Sequence, residues 1–239
     1  MICVSREIAA RVVNAGVTAD RIHVVSNGVD VERLRRVQAQ ASNGNSAPPR
    51  LVGLGRLSPE KGFDLLIRAH AAVRADIYHE LLLIGSGPEL DRLRALAAEL
   101  GVEDSVRFSG FQADPFPLVA GGSAFVLSSR REGLPLALLE AMALGVPVIA
   151  TRCTTAIDDI LAHGAFGDVV AMESVGGLAE AIRRHLRAPV VLQQRVQAAA
   201  AHVERYSIDE TTAGQLRVLH LVHERATPRL RRFPFSHKV

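Results

Sequence analysis

The sequence of 239 residues predicts an α/β protein with a doubly wound, Rossmann-like parallel sheet. Short apolar segments alternate with longer amphipathic segments along most of the chain, which is typical of repeated β–α units. The apolar segments are rich in Val, Ile and Leu, and this indicates strands that are buried on both faces. Arg56, Gly85, Ser129 and Glu132 each follow a predicted strand, at the edge where a doubly wound sheet binds its ligands.

Seven strands and seven helices are predicted from these two kinds of segment. In chain order the strands are His23–Ser26, Leu51–Leu54, Leu81–Ile84, Val106–Phe108, Ala124–Leu127, Val148–Thr151 and Asp168–Ala171. The helices are Ser5–Ala15, Pro59–Val73, Pro88–Leu100, Pro135–Leu144, Val175–Leu186, Pro189–Val203 and Asp209–Glu224. Two segments lack such a pattern: Ala41–Arg50 is predicted to be a surface connector, and Thr227–Val239 a basic tail.

Composition and charge argue against several classes of protein. Hydrophobic residues make up 48% of the chain and charged residues 22%, which is ordinary for a globular protein. The net charge of +3 and the 4% aromatic content, with no Trp, give no indication of a nucleic-acid partner. Cys3 and Cys153 are the only cysteines, so a disulfide framework is not expected, and no apolar run reaches the length of a membrane span. These features predict a cytoplasmic protein.

The segment Arg130–Thr151 carries the clearest indication of chemistry. Glu132 and Glu140 lie on either side of a Gly133–Pro135 turn, at which a helix is predicted to begin. Pro suits a first helical turn, and the free N–H groups and positive dipole end of a helix form a ready anion site. Carboxylates do not bind phosphate, but they accept hydrogen bonds from sugar hydroxyls. The combination points to a sugar nucleotide as ligand.

Several ordered segments carry a resemblance to a known family. The two acids of Arg130–Thr151, the GLP turn and the following ALGVPVIAT resemble the C-terminal, donor-binding half of a retaining glycosyltransferase with the GT-B fold, in the GT4-like group (glycosyl transferases group 1). Leu51–Phe63 is similar to that group's GRL-x-x-EKG signature, and Ser26–Asp30 to its NGVD element. Leu81–Leu90 and Val106–Phe111 resemble two further landmarks. The resemblance covers roughly Ser5 to Arg225, and the order of its motifs makes it specific.

The resemblance implies a division of the chain into four parts. Residues 1–22 are a remnant of the interdomain region, residues 23–206 the nucleotide-sugar-binding domain, residues 207–226 a crossover helix and residues 227–239 the basic tail. The family places an acceptor-binding domain before this half, and both a fragment and a separately encoded half remain open. Apolar positions that such a domain would cover are expected to be exposed, on the last helix and near Ile2–Val13. On the helix they are Leu216, Val218, Leu219, Leu221 and Val222.

The resemblance also implies roles for individual residues. Arg56 and Lys61 stand at the positions that bind the diphosphate of the donor, and Glu140 at the position of the acid that accepts hydrogen bonds from ribose hydroxyls. Glu132 stands where the family has an acid near the reacting carbon of the sugar, and it is the candidate catalytic residue. The predicted donor-binding set also includes Gly133, Leu134, Pro135 and Leu139.

Each role has a plainer alternative. The two cations could be solvated at a helix start, Glu140 could be a surface acid, and Glu132 could be a loop acid paired with Arg130 or Arg131. Cations at a helix start oppose the dipole, and an unpaired acid in a mostly apolar helix is unfavourable, so the binding roles are preferred. No D-x-D motif is present, so we predict neither a metal nor a cofactor, and the cations would meet the diphosphate charge.

The predicted activity is transfer of a hexose-type sugar from a UDP- or GDP-sugar to a glycan or lipid-linked acceptor, with retention of configuration. The alternative is a non-catalytic nucleotide-sugar-binding module or an inactive fragment, and a separate N-terminal acceptor domain is a predicted partner. The basic tail could contact an anionic membrane surface at the inner face of the membrane, although a disordered end is the favoured interpretation.

Other patterns carry weaker alternatives. Gly53/Gly55 and Gly85/Gly87 do not complete a dinucleotide fingerprint, so NAD is disfavoured, and these glycines are expected to let the backbone approach a sugar nucleotide. The loop Cys153–Ala156 lacks the family's usual Gly and Pro, and Asp159 replaces a Glu.

Overall fold

The computed structural model describes residues 1–41 and 48–226, which form eight strands and ten α-helices. The strands are β1 (Ile2–Cys3), β2 (His23–Val24), β3 (Arg50–Leu54), β4 (Glu80–Ile84), β5 (Val106–Gly110), β6 (Ala124–Leu127), β7 (Val148–Thr151) and β8 (Asp168–Val170). The helices are α1 (Arg6–Asn14), α2 (Val31–Gln40), α3 (Phe63–Arg74), α4 (Leu90–Glu99), α5 (Phe116–Ala120), α6 (Leu136–Ala143), α7 (Ala156–Ile160), α8 (Val175–Arg187), α9 (Gln193–His202) and α10 (Ile208–Ala226).

Within these residues, six parallel strands form the central sheet, in the order β5-β4-β3-β6-β7-β8. The chain moves outward from β3 to β5, returns to the middle of the sheet at β6, and then moves outward on the other side to β8. The loops that leave β3 and β6 therefore diverge at the centre, and a doubly wound sheet binds its ligands in the crevice between such loops. The predicted fold class is confirmed.

Alternate residues of the central strands point to opposite faces of the sheet, and each face has its own core. Val52 and Phe125 pack with residues of α2, α5, α6 and α9 on one face. Leu51 and Val126 pack with residues of α3, α4 and α8 on the other. Because helices cover both faces, the strands have the nearly continuous apolar sequences from which they are predicted.

The predicted strand His23–Ser26 is wrong in its extent and in its place. Only His23–Val24 is a strand, and it pairs in parallel with β1 in a separate two-stranded sheet. Val24 is exposed. A segment this short and this accessible to solvent does not fit among strands that are buried on both faces.

Three helices are absent from the sequence prediction. Asp30 caps α2 by accepting a hydrogen bond from Arg33 N at 2.9 Å, and this helix buries Val31 and Leu34. Its many charged and amide side chains hide that short apolar stripe. Helices α5 and α7 have five residues each, too few to show a helical period.

Exposed apolar side chains lie on α10 and near the amino end of the chain, as predicted. Val218 is the exception, because residues of this chain already bury it. The exposed side chains are those of Leu216, Leu219, Leu221 and Val222 on α10, and of Ile2 and Val13.

The two segments without a periodic pattern fall partly or wholly outside the described residues. The connector Ala41–Arg50 is described only at its ends, where Arg50 already begins β3, and the tail Thr227–Val239 lies outside. Among the helices in the described ranges, none combines the length and the hydropathy that a transmembrane span requires.

Candidate functional site

The loops that leave β3 and β6 bring two predicted site residues of opposite charge into contact. Lys61 Nζ lies 2.8 Å from Glu132 Oε1, and 26% and 10% of the two side chains remain exposed. Ser129 donates its hydroxyl to the same carboxylate oxygen at 2.7 Å. Two donors on one oxygen fix the orientation of the carboxylate. The structure thus pairs Glu132 with Lys61 rather than with Arg130 or Arg131.

A break in the predicted helix Pro59–Val73 places Lys61 beside the end of β6. The chain makes a 3-10 turn over Pro59–Lys61, and α3 begins only after Gly62. Gly62 has a φ of +62°, and a Cβ there would lie 2.2 Å from the carbonyl oxygen of Ser128. Ser128 in turn donates its hydroxyl to the carbonyl oxygen of Lys61 at 3.0 Å. Since only Gly allows this approach, the glycine sets the position of Lys61 against β6.

A cavity of about 580 Å³ lies beside Arg56, at the carboxyl ends of β3, β4 and β5. The Arg56 side chain is exposed and forms no hydrogen bond or ion pair with any residue in the described ranges. Close packing between the loops shapes this cavity, because a Cβ on Gly85 would lie 1.9 Å from the carbonyl oxygen of Gly55. Gly85 therefore serves the contact between two loops, and the approach of a ligand to its backbone stays a prediction. The lining residues are Leu54–Arg56, Ile84–Gly87, Phe111, Gln112 and Pro115.

Glu140 has a partly buried carboxyl group that nothing in the described part of the chain neutralises. It lies in α6 and makes neither a hydrogen bond nor an ion pair there. Burial raises the pKa of this carboxyl above its usual value of 4.5. An ionised, unpaired carboxylate is unfavourable in such a place, and hydroxyl groups of a ligand would relieve the penalty by donating hydrogen bonds to it.

The turn before α6 is open on one side. Apart from the two residues next to Gly133 in the chain, none of the described residues comes within 4 Å of a Cβ built on it. Pro135 is the N-cap residue of α6, and Leu134 lines a second, polar cavity of about 350 Å³. The side chain of Leu139, in contrast, is fully buried in the core. The donor contact assigned to Leu139 stays a prediction, and its backbone rather than its side chain would have to make it.

Lys61 and Glu132 are thus the only members of the predicted charged set that meet within the described residues. Arg56 and Glu140 contact neither of them through a hydrogen bond or an ion pair. Elsewhere in the described ranges, no three His, Cys, Asp or Glu side chains are arranged to hold a metal ion.

Sequence reasoning missed a contact that ties the amino-terminal segment to the loop after β7. The carboxylate oxygen Oε2 of Glu7, in α1, accepts hydrogen bonds from Thr154 Oγ1 at 2.7 Å and Thr155 N at 3.0 Å, and these bonds hold the pKa of Glu7 below its usual value. Cys153 lies next to these threonines, and burial, reinforced by the charge of Glu132, raises the pKa of its thiol to about 11. The separation in sequence between Glu7 and this loop left no signal to predict the contact.

Comparison with known proteins bears on the same residues. The family model described as glycosyl transferases group 1 matches residues 35–203, which include Arg56, Lys61, Glu132 and Glu140. The chain is also 34% identical over 213 residues to the lipopolysaccharide core biosynthesis glycosyltransferase LpsD of Rhizobium meliloti (strain 1021). That alignment covers 88% of this chain and 60% of LpsD.

Two solved structures share the fold. A glycosyltransferase from Rickettsia africae ESF-5 superposes with a TM-score of 0.83 at 17% identity, over 93% of this chain and 63% of that chain. Anabaena Alr3699/HepE, solved in complex with UDP, gives a TM-score of 0.80 at 25% identity, again over 93% of this chain and 63% of the other. The chain therefore spans about 60% of the length of the proteins it matches, and it belongs to the glycosyl transferases group 1 family.

Proposed function

We propose that this chain is the donor-binding half of a GT4-like glycosyltransferase, which transfers a hexose-type sugar from a UDP- or GDP-sugar to a glycan or lipid-linked acceptor with retention of configuration. The observation that carries this proposal is the contact between Lys61 and Glu132 at the crevice of a doubly wound sheet. A cation and a hydrogen-bond acceptor side by side suit the two chemical parts of a sugar nucleotide, its diphosphate and its sugar.

In this proposal Lys61 and Arg56 bind the diphosphate. An ammonium group has three N–H donors, and the contact with Glu132 uses one of those of Lys61. The Arg56 side chain has no hydrogen-bond or ion-pair partner among the described residues, so all of its donors are available. Departure of a nucleoside diphosphate increases negative charge on its oxygens, and fixed cations stabilise that charge. The start of α6 adds the positive end of a helix dipole.

The two acids bind hydroxyl groups. Glu132, oriented by Ser129 and Lys61, faces the donor sugar near its reacting carbon and is the candidate catalytic residue. Glu140 accepts hydrogen bonds from ribose hydroxyls, which supplies the partners that its carboxylate lacks. The exposed ring of Phe111, on the lining of the Arg56 cavity, offers a flat apolar surface to a nucleobase.

The comparisons support a transferase over a non-catalytic binding module. LpsD is a lipopolysaccharide core biosynthesis glycosyltransferase, and HepE was solved with UDP at 25% identity to this chain. We therefore favour a UDP-sugar as donor. Since those proteins are longer, we further propose that a separate acceptor-binding domain completes the active site. Cytoplasmic location and contact of the basic tail with an anionic membrane stay predictions.

A calorimetric titration with UDP, GDP and ADP and with their glucose conjugates tests the proposal. We expect UDP and a UDP-sugar to bind wild-type protein and to bind Lys61→Ala more weakly. The second lysine of the chain provides a control in Lys238→Ala, which should bind as the wild type does. Failure of every nucleotide to bind the wild type would overturn the proposed function.

Turnover separates the transferase from the binding module. Mixed with a supplied N-terminal half of LpsD, the chain should release UDP from the accepted UDP-sugar, and Glu132→Gln should release much less. Binding without any turnover in that mixture would favour the non-catalytic module.

A further inference from the structure

We propose that Arg130 is a positioning residue, which holds Lys61, the proposed ligand of the donor diphosphate, in its contact with Glu132. Two measurements test this inference. The first, UDP binding, rests on the proposed function. The second, the NMR signal of Lys61 in the protein without ligand, rests on geometry alone. Arg130 lies two residues before Glu132, and it belongs to no part of the predicted donor-binding set.

The guanidinium of Arg130 uses all five of its N–H donors on this chain. Nη1 and Nη2 form a fork on the two carboxylate oxygens of Asp64, at 2.8 and 2.9 Å. Nη1 also donates to the carbonyl oxygen of Pro59 at 2.8 Å. Nε and Nη2 donate to the carboxylate of Glu173 at 2.7 and 3.3 Å. A guanidinium with no donor left is suited to hold the protein together and not to bind a ligand.

These contacts join three loops at the same edge of the sheet. Arg130 itself follows β6, and Glu173 follows β8 with a φ of +56°, a left-handed conformation that is uncommon for a residue other than Gly. Pro59 and Asp64 lie on either side of Lys61, in the segment between β3 and α3 and in the first turn of α3. The guanidinium therefore grips the chain just before and just after Lys61.

The backbone of the same residue adds a second grip. Arg130 N donates to the carbonyl oxygen of Glu60, the residue before Lys61, at 2.8 Å. Arg130 thus fixes the main chain near both Lys61 and Glu132. The contact between these two side chains lies between the segments that Arg130 joins. Losing the guanidinium would leave Asp64 and Glu173 facing each other without a cation, so the loops would separate.

Lys cannot replace Arg here. Its single ammonium has three donors on one nitrogen, whereas the planar fork of Arg reaches two carboxylates and a carbonyl in fixed directions. The hydrogen bonds to Asp64 and Glu173, with the charges of the two acids, raise the pKa of Arg130, so the fork stays charged. This distinguishes Arg130 from Arg56, whose side chain has no hydrogen-bond or ion-pair partner in the described ranges and is available to an anion.

The other end of α3 supplies a matched control. There Arg183, from α8, donates to the carbonyl oxygen of Ala72 at 2.8 Å and to a carboxylate oxygen of Asp76 at 3.2 Å. It bridges α3 to a neighbouring element much as Arg130 does, and the two arginine side chains are about equally exposed. It contacts none of the site residues. Arg183→Ala should therefore reproduce the loss of stability without the loss of position.

The first readout is UDP binding by calorimetry. We expect Arg130→Ala to raise the Kd for UDP by at least about tenfold, the scale of one lost charged hydrogen bond, and Arg183→Ala to change it by less than about twofold. Arg130→Lys should recover little of the loss. Should Arg130→Ala fold poorly, Asp64→Asn keeps the guanidinium and its other bonds and should still raise the Kd.

The second readout needs no ligand, because the chain has only two lysines, Lys61 and Lys238. In a Lys238→Arg background, the lysine ammonium signal in a ¹⁵N NMR spectrum reports Lys61 alone. The bond to Glu132 should slow proton exchange and keep this signal sharp in wild type and in Arg183→Ala, whereas Arg130→Ala should broaden or shift it.

Equal effects of Arg130→Ala and Arg183→Ala on both readouts would overturn the inference. Absence of UDP binding in wild type contradicts the proposed function only, and the NMR comparison still decides the role of Arg130.

Discussion

Lys61 Nζ and Glu132 Oε1 are 2.8 Å apart although 71 residues separate them in the sequence. The sequence places each residue after a different strand, and the order β4-β3-β6-β7 makes those two strands neighbours. The two residues therefore meet because the chain returns from β5 to the middle of the sheet, where β6 lies beside β3. It also means that in the absence of a donor the cation is already neutralised by an acid.

The first prediction concerns the cation. Lys61→Ala should weaken binding of a nucleoside diphosphate by about 1.5–3 kcal/mol, the scale for a hydrogen bond that involves a charged group. Lys61→Arg should retain part of the affinity, because its charge remains but the shape of the donor differs. Calorimetric titration of UDP measures both. Affinities within about twofold of wild type for Lys61→Ala would show that the diphosphate binds elsewhere.

The second prediction is that nucleotide binding does not depend on a divalent metal. Arg56, Lys61 and the start of α6 supply positive charge at the crevice, so the diphosphate does not need Mg²⁺ as a counter-ion. The Kd for UDP should be the same, within error, in excess EDTA and in millimolar Mg²⁺, whereas a metal-dependent site would lose affinity in EDTA. A strict requirement for Mg²⁺ or Mn²⁺ would contradict this prediction.

The fold was predictable from sequence wherever a strand is long enough to be buried on both faces. The strands β3, β4, β6 and β7 agree with the apolar runs that predict them. The apolar pattern failed for β2, which is short and exposed, and for α2, whose apolar stripe of Val31 and Leu34 lies among charged residues. Such elements are defined by contacts with distant parts of the chain, which a local pattern does not contain.

The site was predictable only in part, for the same physical reason. Lys61 and Glu132 could be proposed because each lies in a local motif. Their contact and its support by Arg130 and Asp64 could not, since these bonds depend on which strands are neighbours. Gly62 shows the intermediate case: the sequence marks a turn residue, but only the structure shows that it approaches the carbonyl oxygen of Ser128.

The third prediction separates stability from binding at Glu140. Burial raises the pKa of this carboxyl in the folded protein above 4.5, so its favourable contribution is complete only below pH 4.5 and is lost as the pH rises through the folded pKa. Glu140→Gln, which cannot ionise, should therefore increase the free energy of unfolding at pH 7 by about 1 kcal/mol, and by less near pH 4. Urea unfolding at both pH values measures this.

The same variant should bind UDP more weakly, because an amide accepts fewer hydrogen bonds from ribose hydroxyls than a carboxylate does. A gain in stability together with a loss of affinity is the mark of a residue kept for its ligand. Glu103→Gln, at an exposed acid, is the matched control and should change neither quantity. If Glu140→Gln left UDP affinity unchanged, the ribose assignment would be wrong.

The fourth prediction concerns a buried pair of histidines that lies outside the candidate site. His70 Nδ1 is 2.9 Å from His79 Nε2, and His70 Nε2 is 2.9 Å from Ser105 Oγ. Burial, with the nearby charge of Arg74 and the second imidazole, lowers the pKa of His70 from 6.5 to about 3. Between those values the unfolded chain binds more protons than the folded one, so the free energy of unfolding should fall as the pH drops from 6.5, by at most about 1.4 kcal/mol per pH unit for one histidine.

Replacing the imidazole tests this assignment. His70→Gln should be less stable than wild type at pH 7, because the pair loses its packing and one hydrogen bond. Its free energy of unfolding should nevertheless depend less on pH over the roughly two pH units below the normal histidine pKa, because glutamine does not titrate. Denaturant unfolding at several pH values gives both slopes. Equal slopes for wild type and His70→Gln would remove His70 as the source.

The last prediction concerns the exposed apolar face of α10, defined by Leu216, Leu219 and Val222. These side chains are 51%, 60% and 52% exposed. Large exposed apolar surfaces mark interfaces. More than a third of LpsD and of the Rickettsia africae glycosyltransferase lies outside the region that this chain matches, and that length is enough for a domain that covers this face. We expect the 239-residue chain alone to bind donor weakly, to turn over little, and to self-associate or bind a separate acceptor domain.

Light scattering should show an average mass that grows with protein concentration. Leu219→Glu should reduce this growth while leaving the unfolding midpoint within a few degrees of that of wild type, because that side chain is mostly in solvent. A purified, monomeric wild-type chain with robust glycosyl transfer would show that α10 needs no cover.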